Sequence, residues 1–417
     1  MPKYGSLLLA LLVVCPLRAA NPTWVQYAPG GTLIARTILP ANATCPAMNG
    51  TAMTVRGATT DVTVCEAVVP AGTTSASING VALPLKNLGK TPKRIAVVGD
   101  TGCRVKCSSS GCSIQDCSDP TKWPAAAVAK SIAAWKPDLI VHVGDYYYRE
   151  YNCPSATSQP SECTGPVYTW ANWNADFFTP MAKLLPAAPW VFIRGNHEIC
   201  SRAGAGWFQY LDGGAYSADC STHSAPYSVS SGSMQFLVMD SSAVSDENVV
   251  PSEVTLYAGD FSALKATQPA SPTAWLLLHH PIWGVVHDDE DEDDDDPVTP
   301  GLEAAWKQAA GADGVPNVAA IITGHVHLFE ALQFSDAPPQ VVIGNGGTKL
   351  DSGIKSTPKT VDTRTVTAFD TRDKFGWAAV TPTKTAGVWT FTLNSAKGNA
   401  KEKCTVGGMK ARCGSAQ

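Results

Sequence analysis

The chain has 417 residues, of which 44% are hydrophobic and 16% charged, with a formal net charge of −5. That length and composition exclude a disordered chain and a minimal single-core domain. The acidic balance, much of it in the run Asp288 to Asp296, excludes the basic face that nucleic-acid binding requires.

Residues 1–20 have the form of a secretory signal: Lys3, an apolar stretch from Leu7 to Val14 too short to span a bilayer, and small residues Ala19 and Ala20 at a cleavage point. The expected location is secreted or periplasmic, with no membrane span once the signal is removed. Residues 21–92 are rich in Thr, Val, Ala, Gly and Pro, with short β-like runs at Met53–Val55 and Val62–Val64. They predict a small β-rich N-terminal domain, followed by a linker at Lys86–Arg94 and a catalytic domain over 93–417.

From residue 95 the texture changes. Apolar runs recur at Ile95–Val98, Leu139–Val143, Trp190–Ile193, Trp275–Leu278, Ala319–Ile322 and Val341–Ile343. Runs of this length suit strands buried on both faces. Helix-like stretches lie between them at Ala125–Trp135, Ala171–Leu185 and Leu302–Ala310, and the alternation predicts an α/β architecture. Gly376–Thr381 and Gly387–Leu393 predict an antiparallel hairpin, so the sheets should be mixed. Beyond Cys15, twelve cysteines remain, several as near neighbours in sequence: Cys45 and Cys65, Cys153 and Cys163, Cys200 and Cys220, Cys404 and Cys413. They fit an oxidising compartment, although spacing leaves their connectivity open. Cys103, Cys107, Cys112 and Cys117 lack paired C-x2-C spacing, which favours two disulfides over a zinc site.

Five of the apolar runs lead directly into metal-capable side chains: Gly99-Asp100-Thr101-Gly102, Gly144-Asp145-Tyr146-Tyr147-Tyr148, Gly195-Asn196-His197-Glu198, His279-His280-Pro281 and Gly324-His325-Val326-His327. Ligand sites in open α/β sheets form at this carboxyl edge. Carboxylates, an amide oxygen, a phenol and imidazoles suit Fe, Zn or Mn better than Mg or Ca, and so many ligands imply a pair of ions.

The ordered set Gly-Asp-x-Gly, Gly-Asp-x-x-Tyr, Gly-Asn-His-Glu, His-x-Pro and Gly-His-x-His resembles the calcineurin-like metallophosphoesterases, and within them the purple acid phosphatase branch. The resemblance spans roughly residues 94–350. It departs from the general pattern where Gly102 replaces a histidine, and Tyr148 falls where the purple branch has its iron-binding tyrosine. It implies two packed mixed sheets flanked by helices. It also implies Fe(III) on Asp100, Tyr148 and His327, a divalent Fe, Zn or Mn on Asn196, His279 and His325, and Asp145 bridging them. His280 is the alternative to His279, since adjacent strand residues face opposite ways.

The implied reaction is hydrolysis of a small phosphate monoester by in-line attack of metal-activated hydroxide, with His197, and less directly His287, contacting phosphate or donating a proton. Two alternatives stay open: a phosphodiesterase acting on nucleotides or phospholipid head groups, and a secreted binding protein with a structural metal site. The acidic run, if near the site, would repel polyanionic substrates. Oligomeric state is not legible.

Overall fold

A computed structural model describes residues 21–415 apart from 110, 155–158, 268–273, 288–294, 311–314, 316 and 355–356. The signal-like segment and most of the acidic run therefore lie outside the described residues.

The apolar runs form the centre of two sheets. In the first, Ile95–Val98, Leu139–His142 and Trp190–Phe192 lie side by side and parallel, so all three end at one edge. In the second, Met234–Val238, Ala274–Leu277, Val318–Thr323 and Gln340–Ile343 are parallel neighbours. Antiparallel strands complete both, including the expected hairpin, Gly376–Pro382 with Val388–Ser395, which pairs with Ile95–Val98. The sheets have eleven and eight strands.

Alternation along each strand explains the layering. Ile95, Val97, Val141 and Val191 point between the sheets, against Phe236, Trp275, Leu277, Ile322 and Val341. Ala96 and Val98 point the other way, under the Ala125–Trp135 helix. The second sheet's outer face is covered by helices Pro251–Ala266 and Pro300–Ala310. The architecture is thus two packed mixed sheets flanked by helices.

The N-terminal region is β-rich, but its long strands are not a sheet of their own. Thr23–Tyr27 pairs in parallel with Trp190–Phe192, and Leu33–Pro40, Val62–Val68 and Thr54–Ala58 extend the same sheet outward. Buried Arg36 and Arg56 tie this extension to the rest by donating to the carbonyls of Tyr210 and Phe208. The boundary placed at residue 92 therefore falls within one continuous first sheet. Another expectation is modified at Ala171–Leu185. In place of one helix there is a short α-helix, Trp170–Trp173, a π-turn, Asn174–Phe178, and a last turn at Thr179–Met181, where Pro180 supplies no N–H for the ladder.

Six disulfides join Cys45–Cys65, Cys103–Cys117, Cys107–Cys112, Cys153–Cys163, Cys200–Cys220 and Cys404–Cys413. The dense cluster is disulfide-bonded rather than a zinc site, and the set fits an oxidising compartment. Among the described residues no helix is long and apolar enough to cross a membrane.

Candidate metal centre

The edge where the parallel strands end gathers the motif residues. Asp100 and Asp145 each follow a strand in the left-handed conformation, at φ 55° and 58°, which turns the chain sharply and aims both carboxylates inward. The flanking glycines are needed for space. A Cβ on Gly144 would run into the His279 ring, and one on Gly195 into the Asp145 carboxylate.

Four of the expected ligands converge directly. The Tyr148 hydroxyl lies 2.7 Å from Asp145 Oδ2, 3.1 Å from Asp100 Oδ1 and 2.8 Å from His327 Nε2. All four side chains are buried. On the other side of Asp145, His279 Nε2 is 3.4 Å from Oδ2, and the Asn196 amide lies 3.1 Å from that nitrogen and borders both Asp145 oxygens. His279 Nδ1 sits 2.8 Å from the Val143 carbonyl, which directs Nε2 toward the centre. His279, and not its neighbour His280, is thus the histidine against Asp145.

His325 stands beside this group. Its ring is 5.3 Å from that of His279, and its Nε2 faces Asp246 Oδ1 at 3.2 Å. The same carboxylate oxygen is 3.2 Å from His280 Nε2. His197 lies over the Tyr148 ring, centroids 3.7 Å apart, with Nε2 3.8 Å from Asp145 Oδ2. Its Nδ1 lies 2.8 Å from Glu150 Oε1, 3.1 Å from the Tyr147 carbonyl and 2.6 Å from Arg202 Nη2; when protonated it donates to the two oxygens, and it accepts from Arg202 only in the tautomer that leaves Nδ1 bare. His287 ends the Gly284–His287 strand, and its side chain lies outside the described residues.

The electrostatics fit a cation. Burial, then Asp145, pushes the Asp100 carboxyl well above its ordinary range, while burial, Asp145 and Asp100 together raise the Tyr148 phenol. Against burial, His279 and His197 hold Asp145 low. Two buried carboxylates and a phenol this close repel one another once ionised, and a bound metal ion would relieve that repulsion. Hard oxygen donors with imidazoles are the donor set that Fe, Zn or Mn prefers.

Several further residues support the centre from behind. Glu198, wholly buried, accepts hydrogen bonds from the backbone N–H groups of Asp145, Tyr146, Tyr147 and Gly195, fixing two motif loops to each other. Asp176 does the same for the Tyr148 loop, accepting from the N–H groups of Cys103, Tyr148 and Arg149 and pairing with the Arg149 guanidinium at 2.6 Å. Asp351 accepts from the His327 N–H at 2.8 Å and faces its Nδ1 at 3.3 Å. Glu198 sits inside a motif and could have been found there. Asp176, Asp246 and Asp351 carry no local signal.

A two-sheet α/β fold with a buried carboxylate–imidazole–phenol cluster at its strand ends defines a class of metal-dependent hydrolase scaffold. The calcineurin-like phosphoesterase profile matches residues 93–329. The chain belongs to the calcineurin-like phosphoesterase family. It is similar in fold to the purple acid phosphatase PPD1 from yellow lupin (Lupinus luteus) seeds, at 12% identity and TM-score 0.56, covering 92% of this chain and 74% of that one. It is equally similar to the structure of PhoD, at 12% identity and TM-score 0.56, covering 95% and 92%. No curated protein sequence matches the chain.

Proposed function

We propose that this chain is an exported binuclear-metal phosphomonoesterase of the acid phosphatase type. The observation that carries the reading is the convergence of Asp100, Asp145, Tyr148 and His327 on one point, with Asn196 and His279 on the far side of Asp145. Asp100, Tyr148 and His327 would hold Fe(III); Asn196, His279 and His325 would hold a divalent Fe, Zn or Mn; Asp145 would serve both. His325 would bind through Nδ1, because Asp246 occupies its Nε2. The bound ions would supply Lewis acidity, activating water and neutralising charge on the phosphoryl group.

The chain's own groups do the rest. Water adds to phosphorus as the ester P–O bond breaks, and the departing alkoxide takes a proton. His197 is placed to give it from Nε2, while Nδ1–H donates to Glu150 and the Tyr147 carbonyl. Only the imidazolium can donate, and burial with Arg202 nearby holds His197 down to about 4, so donation is favoured at acidic pH. The six disulfides support export.

Metal content per chain, by elemental analysis of protein purified without added metal, tests the centre: two ions including one iron are expected, and none, even after reconstitution, overturns it. With Fe(III) bound, Tyr148 should give a purple charge-transfer band that Tyr148→Phe abolishes; a colourless ferric wild type removes Tyr148 from the ligands. Faster hydrolysis of p-nitrophenyl phosphate than of its bis-ester supports a monoesterase, and the reverse order indicates the phosphodiesterase.

A further inference from the structure

Beside the proposed pair of ions stands another group of metal-capable side chains, only one of which the motifs account for. Asp246 lies in the loop between the Met234–Val238 strand and the Pro251–Ala266 helix. Its Oδ1 is 3.2 Å from His280 Nε2 and 3.2 Å from His325 Nε2, and the two imidazole rings stand 4.2 Å apart. The three donor atoms lie within 4.8 Å of one another.

Separate elements hold these donors in place. The His280 ring is set at 85° to that of His279, so the neighbour serves Asp145 while His280 serves Asp246. The His280 backbone N–H donates to Ser241 Oγ at 3.0 Å, and its Nδ1 lies 3.4 Å from the same oxygen. A ring proton on Nδ1 thus has an acceptor, which leaves the Nε2 lone pair toward Asp246. The loop is tied at both sides of the carboxylate: the Asp246 carbonyl accepts from Thr299 N–H at 3.1 Å, and Ser245 N–H donates to Glu253 Oε2 at 2.9 Å.

Two features set the group apart from an ordinary ion pair. His280 is wholly buried, yet among the described residues its Nε2 has no hydrogen-bond partner, so its desolvation goes uncompensated. The spacing also differs. Charge-assisted N–H···O bonds run to about 2.7–2.9 Å, whereas ligand atoms around a tetrahedral zinc ion, each about 2.0–2.1 Å from it, stand about 3.3–3.4 Å apart. Both 3.2 Å contacts fall nearer the second figure. The Asp246 side chain is 49% exposed and that of His325 15%, which provides an entry path and room for a water ligand.

We propose that Asp246, His280 and His325 form a third metal site, outside the pair in the proposed centre. It takes a divalent ion of the zinc type through Oδ1 and the two Nε2 atoms, with water completing the shell. Two imidazoles and one carboxylate suit zinc and do not suit calcium or magnesium. Open to solvent and supplied with a single carboxylate, the site exchanges its ion readily, while the pair is kept through purification. His325 is common to both: if its Nδ1 holds the second ion as proposed above, filling the third site makes the ring a bridge, and its remaining proton passes to solvent. The third site itself does not depend on that reading.

Full-length protein loaded to two ions per chain, titrated with zinc chloride and followed by equilibrium dialysis, tests the site. Wild type should take up one further equivalent. His280→Phe should weaken that equivalent by about 100-fold or more while keeping the first two ions. Asp246→Asn, at a half-exposed position, should lose the further equivalent as well, which decides the matter if the buried substitution disturbs folding. Calcium or magnesium in excess should not displace the zinc. No further equivalent in wild type overturns the site, as does its retention in both variants. A folded His280→Phe that loses the first two ions as well would also overturn it, by assigning His280 to the pair. If the pair cannot be loaded at all, but wild type still binds one zinc that His280→Phe abolishes, the third site stands and the proposed binuclear centre falls.

Discussion

Around Tyr148 the proposed ligand atoms already meet, with the phenol, two carboxylates and the His327 ring in hydrogen-bond contact and out of water. Across Asp145 the arrangement is looser. Asn196 and His279 touch, but the His325 ring is 15% exposed and turned with Nε2 on Asp246, whose own side chain is 49% exposed. The closed flank has met the cost of desolvation and convergence during folding, with Asp176 holding the Tyr148 loop from behind. The open flank leaves part of that cost to the moment of binding. If two ions bind as proposed, their sites should differ in affinity: mild chelation is expected to strip one ion first and leave the one at Tyr148 in place.

The largest effect should come where the flanks meet. Asp145→Ala is expected to lose both ions and reduce hydrolysis to background, measured by elemental analysis alongside activity; retention of one tightly bound ion would break the proposed sharing. Next comes the scaffold of the closed flank. Asp176→Ala leaves the Arg149 guanidinium and three backbone N–H groups without their acceptor, and should destabilise the fold by about 3–5 kcal/mol in chemical denaturation. A change under about 1 kcal/mol would mean that the Tyr148 loop is held by other contacts.

A paired substitution sharpens the contrast at smaller scale. Removing the carboxylate behind a metal-binding histidine should weaken that histidine's ion by about 10–100-fold. Asp351→Asn should do so for the Tyr148 ion and Asp246→Asn for the other, read by metal competition titration; equal loss of both ions in either variant would show that the flanks are not separable. The smallest effect lies away from both. His223 is 2.7 Å from Asp260, and that hydrogen bond raises its pKa above the ordinary 6.5. A raised histidine contributes stability that is fully present below pH 6.5 and lost as pH rises through its native pKa. His223→Gln should therefore flatten the fall in Tm across that window, while leaving metal content unchanged. An undiminished slope would place the pH dependence in other groups.

Much of the central fold was legible because buried parallel strands are written as contiguous apolar runs. Ile95–Val98 and the Ala125–Trp135 helix coincide with their expected spans. The last two strands were not legible: Ala400–Gly407 carries Lys401, Glu402 and Lys403 on a partly solvated edge, where no hydrophobic pattern is required. The Pro251–Ala266 helix was passed over although Val254, Tyr257, Ala258, Phe261 and Leu264 keep helical spacing, because Gly259 and the polar residues between them dilute the pattern.

By itself, the sequence determined the strand ends and the residues delivered there, because a ligand loop must follow its strand directly and a glycine must make room for it. Tertiary structure alone decided that Asp176, Asp246 and Asp351 stand behind the proposed ligands and that His325 turns to Asp246. His327–Asp351 and Tyr148–Asp176 join residues 24 and 28 positions apart, set by how separate loops come together, and no local pattern of side chains encodes that approach.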